Sequence, residues 1–155
     1  MRELLEDYLR SRGVRYFRGH HDDEFFYLMD CPSRGFRPQQ SGRLDIHLQV
    51  CGPGRDAVRV HISPDRFYPA DRRDRLATVA ARWNSGDPGV RATVHNSCDP
   101  ALVGVDAGLT RRPADGAALA DFVDHAVESA VELFALMRDA AGPEPWTSGA
   151  LRAAG

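Results

Sequence analysis

The sequence predicts one α+β domain in the order helix, three or four strands, helix, two strands, helix, with an antiparallel sheet carrying its helices on one face. Three observations lead there. Apolar residues recur at helical spacing in three separate segments. Two mid-chain segments alternate strictly between apolar and polar residues. The length of 155 residues is about that of one domain.

The opening helix spans 3–12, where Leu4, Leu5, Tyr8 and Leu9 share a face and Gly13 follows as a stop. From Val14 the period changes. Val14-Arg15-Tyr16-Phe17 and Glu24-Phe25-Phe26-Tyr27-Leu28-Met29 are short aromatic runs that read as strands, separated by a polar turn. A Pro- and Gly-containing loop occupies 31–42. Leu44-Asp45-Ile46-His47-Leu48-Gln49-Val50 and Val58-Arg59-Val60-His61-Ile62 then form a hairpin around Gly52-Pro53-Gly54-Arg55-Asp56. An extended connection over 63–70 leads to a second helix. Asp71 is its expected N-cap, Leu76, Val79, Ala80 and Trp83 its apolar face, and residues 84–89 its stop. Strands follow at 90–95 and 101–109. A long last helix starts near 113–115, carries a stripe from Leu119 to Met137 and closes at Gly142-Pro143. The domain is thus placed at 1–141, with a flexible tail at 142–155 whose one large anchor is Trp146.

Composition removes several functions. All twenty basic residues are arginine, which excludes P-loop NTPases, ordinary protein kinases and Schiff-base enzymes, since each needs a lysine. A net charge of −2, with arginines dispersed among acids, gives no drive toward nucleic acid or anionic lipid. The apolar runs are too short for a membrane span. Cys31, Cys51 and Cys98 are odd in number and widely spaced, as expected of a reduced, cytoplasmic protein. Arginine in place of lysine, with abundant Ala, Gly and Asp, fits a GC-rich genome.

Several features together resemble the YbjN family, a group of proposed sensory-transduction regulators whose fold is like that of type III secretion chaperones. They are Leu4-Leu5, Tyr8-Leu9 and Gly13-Val14 at the start, the strand Asp23-Glu24-Phe25-Phe26, and Phe67-Tyr68-Pro69 leading into a helix that ends Ala81-Arg82-Trp83-Asn84. Phe122, Ala126, Ala130 and Phe134 of the last helix complete the set. These residues run from the first helix to about Arg138. The resemblance implies a small cytoplasmic, non-enzymatic domain, usually dimeric, with a chaperone-like or regulatory role. The 31–42 loop is long for the family, and the tail has no counterpart in it.

Two surfaces are candidates for function. If Cys51 pairs with Ala57, then Gln49 faces Arg59 and His47 faces His61, at about 4.5–5.5 Å between Cβ atoms. One face of the hairpin is then wholly apolar. The other carries Asp45, His47, Gln49, Arg59 and His61, joined by Arg91, Thr93 and His95 of the next strand. His47, Arg59, His61, Arg91 and His95 are therefore the ligand-binding candidates. His47 and His61 could contribute to a zinc site with His95 or Asp45. Alternation alone also produces such a surface, so neither a metal nor any other cofactor is assigned. The turn His20-His21-Asp22-Asp23-Glu24 reads as solvated, because adjacent residues point to opposite sides. His95-Asn96-Ser97-Cys98-Asp99 reads as a turn rather than a catalytic thiol site.

The second surface is apolar. The 24–29 run is apolar on both faces, so Phe25 or Phe26, whichever faces outward, is expected to meet a partner or the 31–42 loop. The last helix, some 40 Å long at about 1.5 Å per residue, exceeds what a small sheet needs. Phe134 and Met137, with Trp146 from the tail, are accordingly placed at an interface between subunits. No catalytic residue is assigned. The expected function is a homodimeric regulatory or chaperone-like module that binds an unidentified protein or peptide, and neither nucleic acid nor membrane. The alternative is a small-molecule or metal-binding regulator that uses the His/Arg face.

Overall fold

The computed structural model describes residues 1–21, 23–31, 42–86 and 89–142. The readings of the 31–42 loop and of the tail with Trp146 fall almost entirely outside the described residues.

Helix α1 (Arg2–Ser11) buries Leu5, Tyr8 and Leu9, and Gly13 beyond it takes a left-handed backbone with φ +64°. Strands β1 (Tyr16–Arg18), β2 (Glu24–Cys31), β3 (Gly42–Cys51) and β4 (Ala57–Pro64) form a continuous antiparallel meander. A two-residue β5 (Tyr68–Pro69) follows, then α2 (Arg73–Ser85), β6 (Arg91–Asn96), β7 (Leu102–Arg111) and α3 (Gly116–Ala141). The α+β class and element order are as the sequence predicts. Strand β7 closes the sheet: residues 107–108 pair with both β4 and β6, so β6 lies on its far side and forms an edge.

The hairpin register is the predicted one, with Cys51 opposite Ala57, Gln49 opposite Arg59 and His47 opposite His61. Leu44, Ile46, Leu48, Val50, Val58, Val60 and Ile62 all point into one core with Val103, Val105 and Ala107 of β7. α3 lies over this side, in contact with α1, α2, β4 and β7. Asp124 of α3 accepts a hydrogen bond from Tyr8 Oη at 2.8 Å and pairs with Arg12, which ties the first helix to the last. Burial and the Asp124 hydrogen bond hold the Tyr8 hydroxyl far above its ordinary pKa, so it stays protonated.

Three expectations need correcting. Asp71 does not cap α2: residues 70–72 form a 3-10 turn running directly into the helix, and Arg72 holds the N-cap position with no side-chain capping bond. The cap expected near residue 115 is present, with Asp115 Oδ1 accepting the Ala118 amide at 2.8 Å. Phe25 is 0 % exposed, so Phe26 is the outward residue of that pair. Phe134 and Met137 do not form a free interface either. They are 8 % and 0 % exposed in this chain's own core, because α1 and α2 flank α3 and use the length that looked surplus. Phe17 and Phe67 are more than half exposed.

The β6 edge is blocked. Asn84 at the end of α2 donates from Nδ2 to Ala92 O at 2.9 Å and accepts from Ala92 N at Oδ1 at 2.8 Å. Its side-chain amide stands where the peptide of a neighbouring strand would pair. Trp83 Nε1 donates to Val90 O at 2.8 Å just before the strand, and Arg73 reaches Asn96 Oδ1 at its far end. Trp83 and Asn84, which end the helix that follows Phe67-Tyr68-Pro69 in the family resemblance, are thus edge-covering residues. Among the described residues, no helix is long and apolar enough to cross a membrane.

Candidate functional site

With the helices on one side, the other face of the sheet is bare among the described residues. Strand parity and register place one row straight across it: Phe17, Phe26, His47, His61, Gly108 and Arg91, contributed in turn by β1, β2, β3, β4, β7 and β6. The row changes character along its length. At the β1–β2 end, Phe17 is 67 % exposed and Leu28 on the next outward row is 47 % exposed. Phe26 stacks on His47 at 4.2 Å between ring centroids and 9° between planes. The backbone of Gly19 lies so close to the Phe26 ring that a Cβ there would clash with it. Burial against this ring pushes the His47 pKa below its ordinary value, and the positive neighbours His61 and Arg59 add to the shift. His47 Nε2 is buried and has no hydrogen-bond partner among the described residues.

The β4–β7–β6 end is polar. Asp106 accepts from His61 Nε2 at Oδ2, 3.2 Å away, and His95 Nε2 lies 3.0 Å from the same oxygen. The His95 contact is an ion-pair distance without hydrogen-bond alignment, and its Nε2 is otherwise buried and unpartnered. Burial opposes ionisation of Asp106, but hydrogen bonds from His61 and Ser63, with the histidine charges, hold its carboxyl below the ordinary value. The same hydrogen bond raises the His61 pKa above its ordinary value against the opposing effect of burial.

Glycines on either side of Asp106 shape the surface. The His95 ring lies directly over Gly104, where a Cβ would sit 2.4 Å from it. Gly108 floors a hollow of ≈ 280 Å³ bordered by Arg59, His61, Arg91 and Thr110.

All five ligand-binding candidates, His47, Arg59, His61, Arg91 and His95, therefore lie on one face, as their alternation predicts. His61 and His95 meet through Asp106, whereas Arg59, His61 and Arg91 border the hollow. The sequence reading missed Asp106, Gly104, Gly108 and Thr110. Their signal was Gly104-Val105-Asp106-Ala107-Gly108, a strand whose outward positions are two glycines and an acid. Among the described residues, no group of three His, Cys, Asp or Glu side chains could hold a metal ion. His95 is turned toward Asp106, while Cys98 is free and exposed in the following turn. His20 and His21 are exposed, and Asp23 is paired with Arg55.

Among the described residues, fold and surface together define a small α+β domain with three helices on one side of an antiparallel sheet and a bare face bearing His and Arg on the other. Among solved structures it is similar to that of YbjN from E. coli, a protein described there as a proposed transcription regulator. The TM-score is 0.53 at 11 % identity, over 84 % of this chain and 86 % of that one. At that identity the likeness is one of fold, which is the YbjN-like fold expected from the sequence. No family model matches the sequence, and no curated protein does.

Proposed function

We propose that the chain is a non-enzymatic regulatory or chaperone-like module of the cytoplasm, working as a homodimer. On this reading it binds an extended segment of a partner protein across the bare face of its sheet. The observation that carries the reading is the outward row itself. Phe17, Leu28 and the Phe26–His47 stack form an apolar patch that no helix among the described residues covers, set beside a polar, cationic half. Apolar anchors bordered by polar groups are the arrangement that binding surfaces use. The face is a better candidate than the β6 edge, where Asn84 already occupies the Ala92 amide and carbonyl.

Affinity capture from the native host tests this, using the full chain, a Phe17→Glu/Leu28→Glu variant and a Leu136→Glu variant as control. Leu136 is a comparably exposed apolar residue on α3. The reading expects a partner held by the parent chain and the control and lost by the face variant. A partner lost only with Leu136→Glu would move the binding surface to the helices. Sedimentation of the parent chain at about 50 μM, far above the dissociation constants of ordinary specific dimers, tests the dimer. A single monomeric species would remove that part.

A second reading is favoured by the hollow over Gly108: a regulator that takes a small molecule on the polar half of the same face. The metal form of this reading has no support, since His61 is engaged by Asp106 and no three-ligand group is present among the described residues.

A further inference from the structure

We infer that the hollow over Gly108 is a binding site for a small oxyanion, the phosphate or carboxylate group of a metabolite, gripped by the guanidinium groups of Arg59 and Arg91. This rests on the second reading, in which the polar half takes a small ligand, and it gives that ligand its chemical class.

The site is built by register. Gly108 lies between His61 on β4 and Arg91 on β6, while Arg59 lies opposite the next outward residue, Thr110. Arg59 and Arg91 thus rise from strands on either side of β7, two strand spacings and a two-residue offset apart, about 12 Å in all. Gly108 and Thr110 of β7 stand between them, and a Cβ at 108 would come within 3.2 Å of Val60 O. Any larger side chain would fill the hollow. Its ≈ 280 Å³ falls just below the usual range for small-molecule pockets, which suits a compact anion rather than a large ligand. A second hollow shares Arg59 and Thr110 and extends past Arg111 and Arg112, leaving space for the rest of the molecule.

The charge is available. Arg2, Arg10, Arg12, Arg18, Arg55 and Arg112 each pair with a carboxylate, but Arg59 and Arg91 have no such partner among the described residues. Arg82 is likewise unpaired, but it stands on an exposed stretch of α2 with no hollow beside it, so a free charge alone does not make the site. Arg59 and Arg91 both border the hollow, a guanidinium fork suits the planar oxygens of a carboxylate or phosphate, and Thr110 supplies a hydroxyl. The carboxylate next along β7, Asp106, is already engaged by His61 and Ser63. His61 adds a third cation once protonated. The groups facing it are Asp106 from β7, Asp45 and His47 from β3, and Arg59 on its own strand, with His95 of β6 behind Asp106. Binding should therefore tighten as pH falls through the His61 pKa.

The test is titration of the full chain with inorganic phosphate, and separately with succinate, followed by amide NMR shifts at about pH 6 and about pH 8, either side of the ordinary histidine pKa. The expected result is saturable binding by at least one of the two anions, tighter at the lower pH. Its largest shifts should fall at Arg91, Gly108 and Thr110. Arg59→Gln and Arg91→Gln should each weaken it by about tenfold or more, as loss of a charge-assisted contact does, while Arg82→Gln leaves it unchanged. Both target arginines are exposed, so thermal melts should show these variants folded as the parent. No saturation with either anion, or equal affinity in Arg59→Gln and Arg91→Gln, overturns the inference. A thermal-shift panel that includes neutral compounds separates it from the reading beneath. If a neutral compound binds the hollow and anions do not, the inference falls and the reading stands; if nothing in the panel binds, both fall.

Discussion

Replacing Asn84 by alanine removes both hydrogen bonds that close the β6 edge, at 2.9 and 2.8 Å to the two backbone groups of Ala92. A hydrogen bond contributes about 0.5–1.5 kcal/mol net, so two contribute about 1–3 kcal/mol. Asn84 is half-buried at the sheet margin, where water can reach the freed groups, which places the expected loss toward the middle, about 1.5 kcal/mol. For a domain of this length that corresponds to a melting temperature lower by about 3–6 °C. Urea denaturation followed by circular dichroism measures the loss directly. The same substitution exposes a strand edge, so sedimentation velocity should show concentration-dependent self-association that the parent chain lacks at this edge. Asn84→Asp separates the two hydrogen bonds: it can still accept from the Ala92 amide but puts a carboxylate against the Ala92 carbonyl. It should be no more stable than the alanine variant. A loss under about 0.3 kcal/mol with unchanged association would refute the claim that Asn84 covers the edge, and would return β6 to the list of docking sites.

Three further outcomes follow from the site. Asp106→Asn removes the charge that raises the His61 pKa, so an NMR titration should show His61 falling toward or below its ordinary value, and an unchanged midpoint would show that Asp106 does not hold the proton there. In the parent chain the raised His61 pKa contributes stability that is complete below the ordinary value and lost as pH rises through the folded value. The lowered His47 pKa contributes in the opposite sense, lost as pH falls, so the two histidines partly cancel and His61→Gln should unmask a stability that declines on acidification through the range near the ordinary histidine pKa. Phe25→Ala should cost about 3–5 kcal/mol as a large side chain deleted from a closed core, and Phe26→Ala clearly less; equal losses in urea denaturation would mean that the parity of β2 is misassigned.

Much of this was legible in the sequence, for reasons that differ by element. The β3–β4 register followed from strict alternation and a five-residue loop, which together leave one pairing that keeps Leu48 and Val60 inside. Phe25 and Phe26 could not be told apart, because a run apolar on both faces has no parity of its own; pairing with Leu48 and His47 on β3 decides it. The last helix announced a buried stripe, but the pattern carries no label for the element that covers it, so Phe134 and Met137 were given to a second subunit when α1 and α2 cover the helix. Asp106 was missed because its partner His61 lies 45 residues away, and the pairing of β4 with β7 is a tertiary fact. Asn84 stood out as part of a family pattern. Its reason, an amide standing in for a strand, appears only when β6 is laid beside α2.

The central claim is that the bare face of the sheet, and not the helical layer, is where this protein meets its partner. Hydroxyl-radical footprinting of the chain, alone and with the partner recovered by capture, tests it most directly, because the markers on both sides are exposed side chains. The account predicts that Phe17 and Leu28 lose reactivity in the complex while Leu136 on α3 keeps its own. Protection of Leu136 with Phe17 and Leu28 unchanged would contradict it.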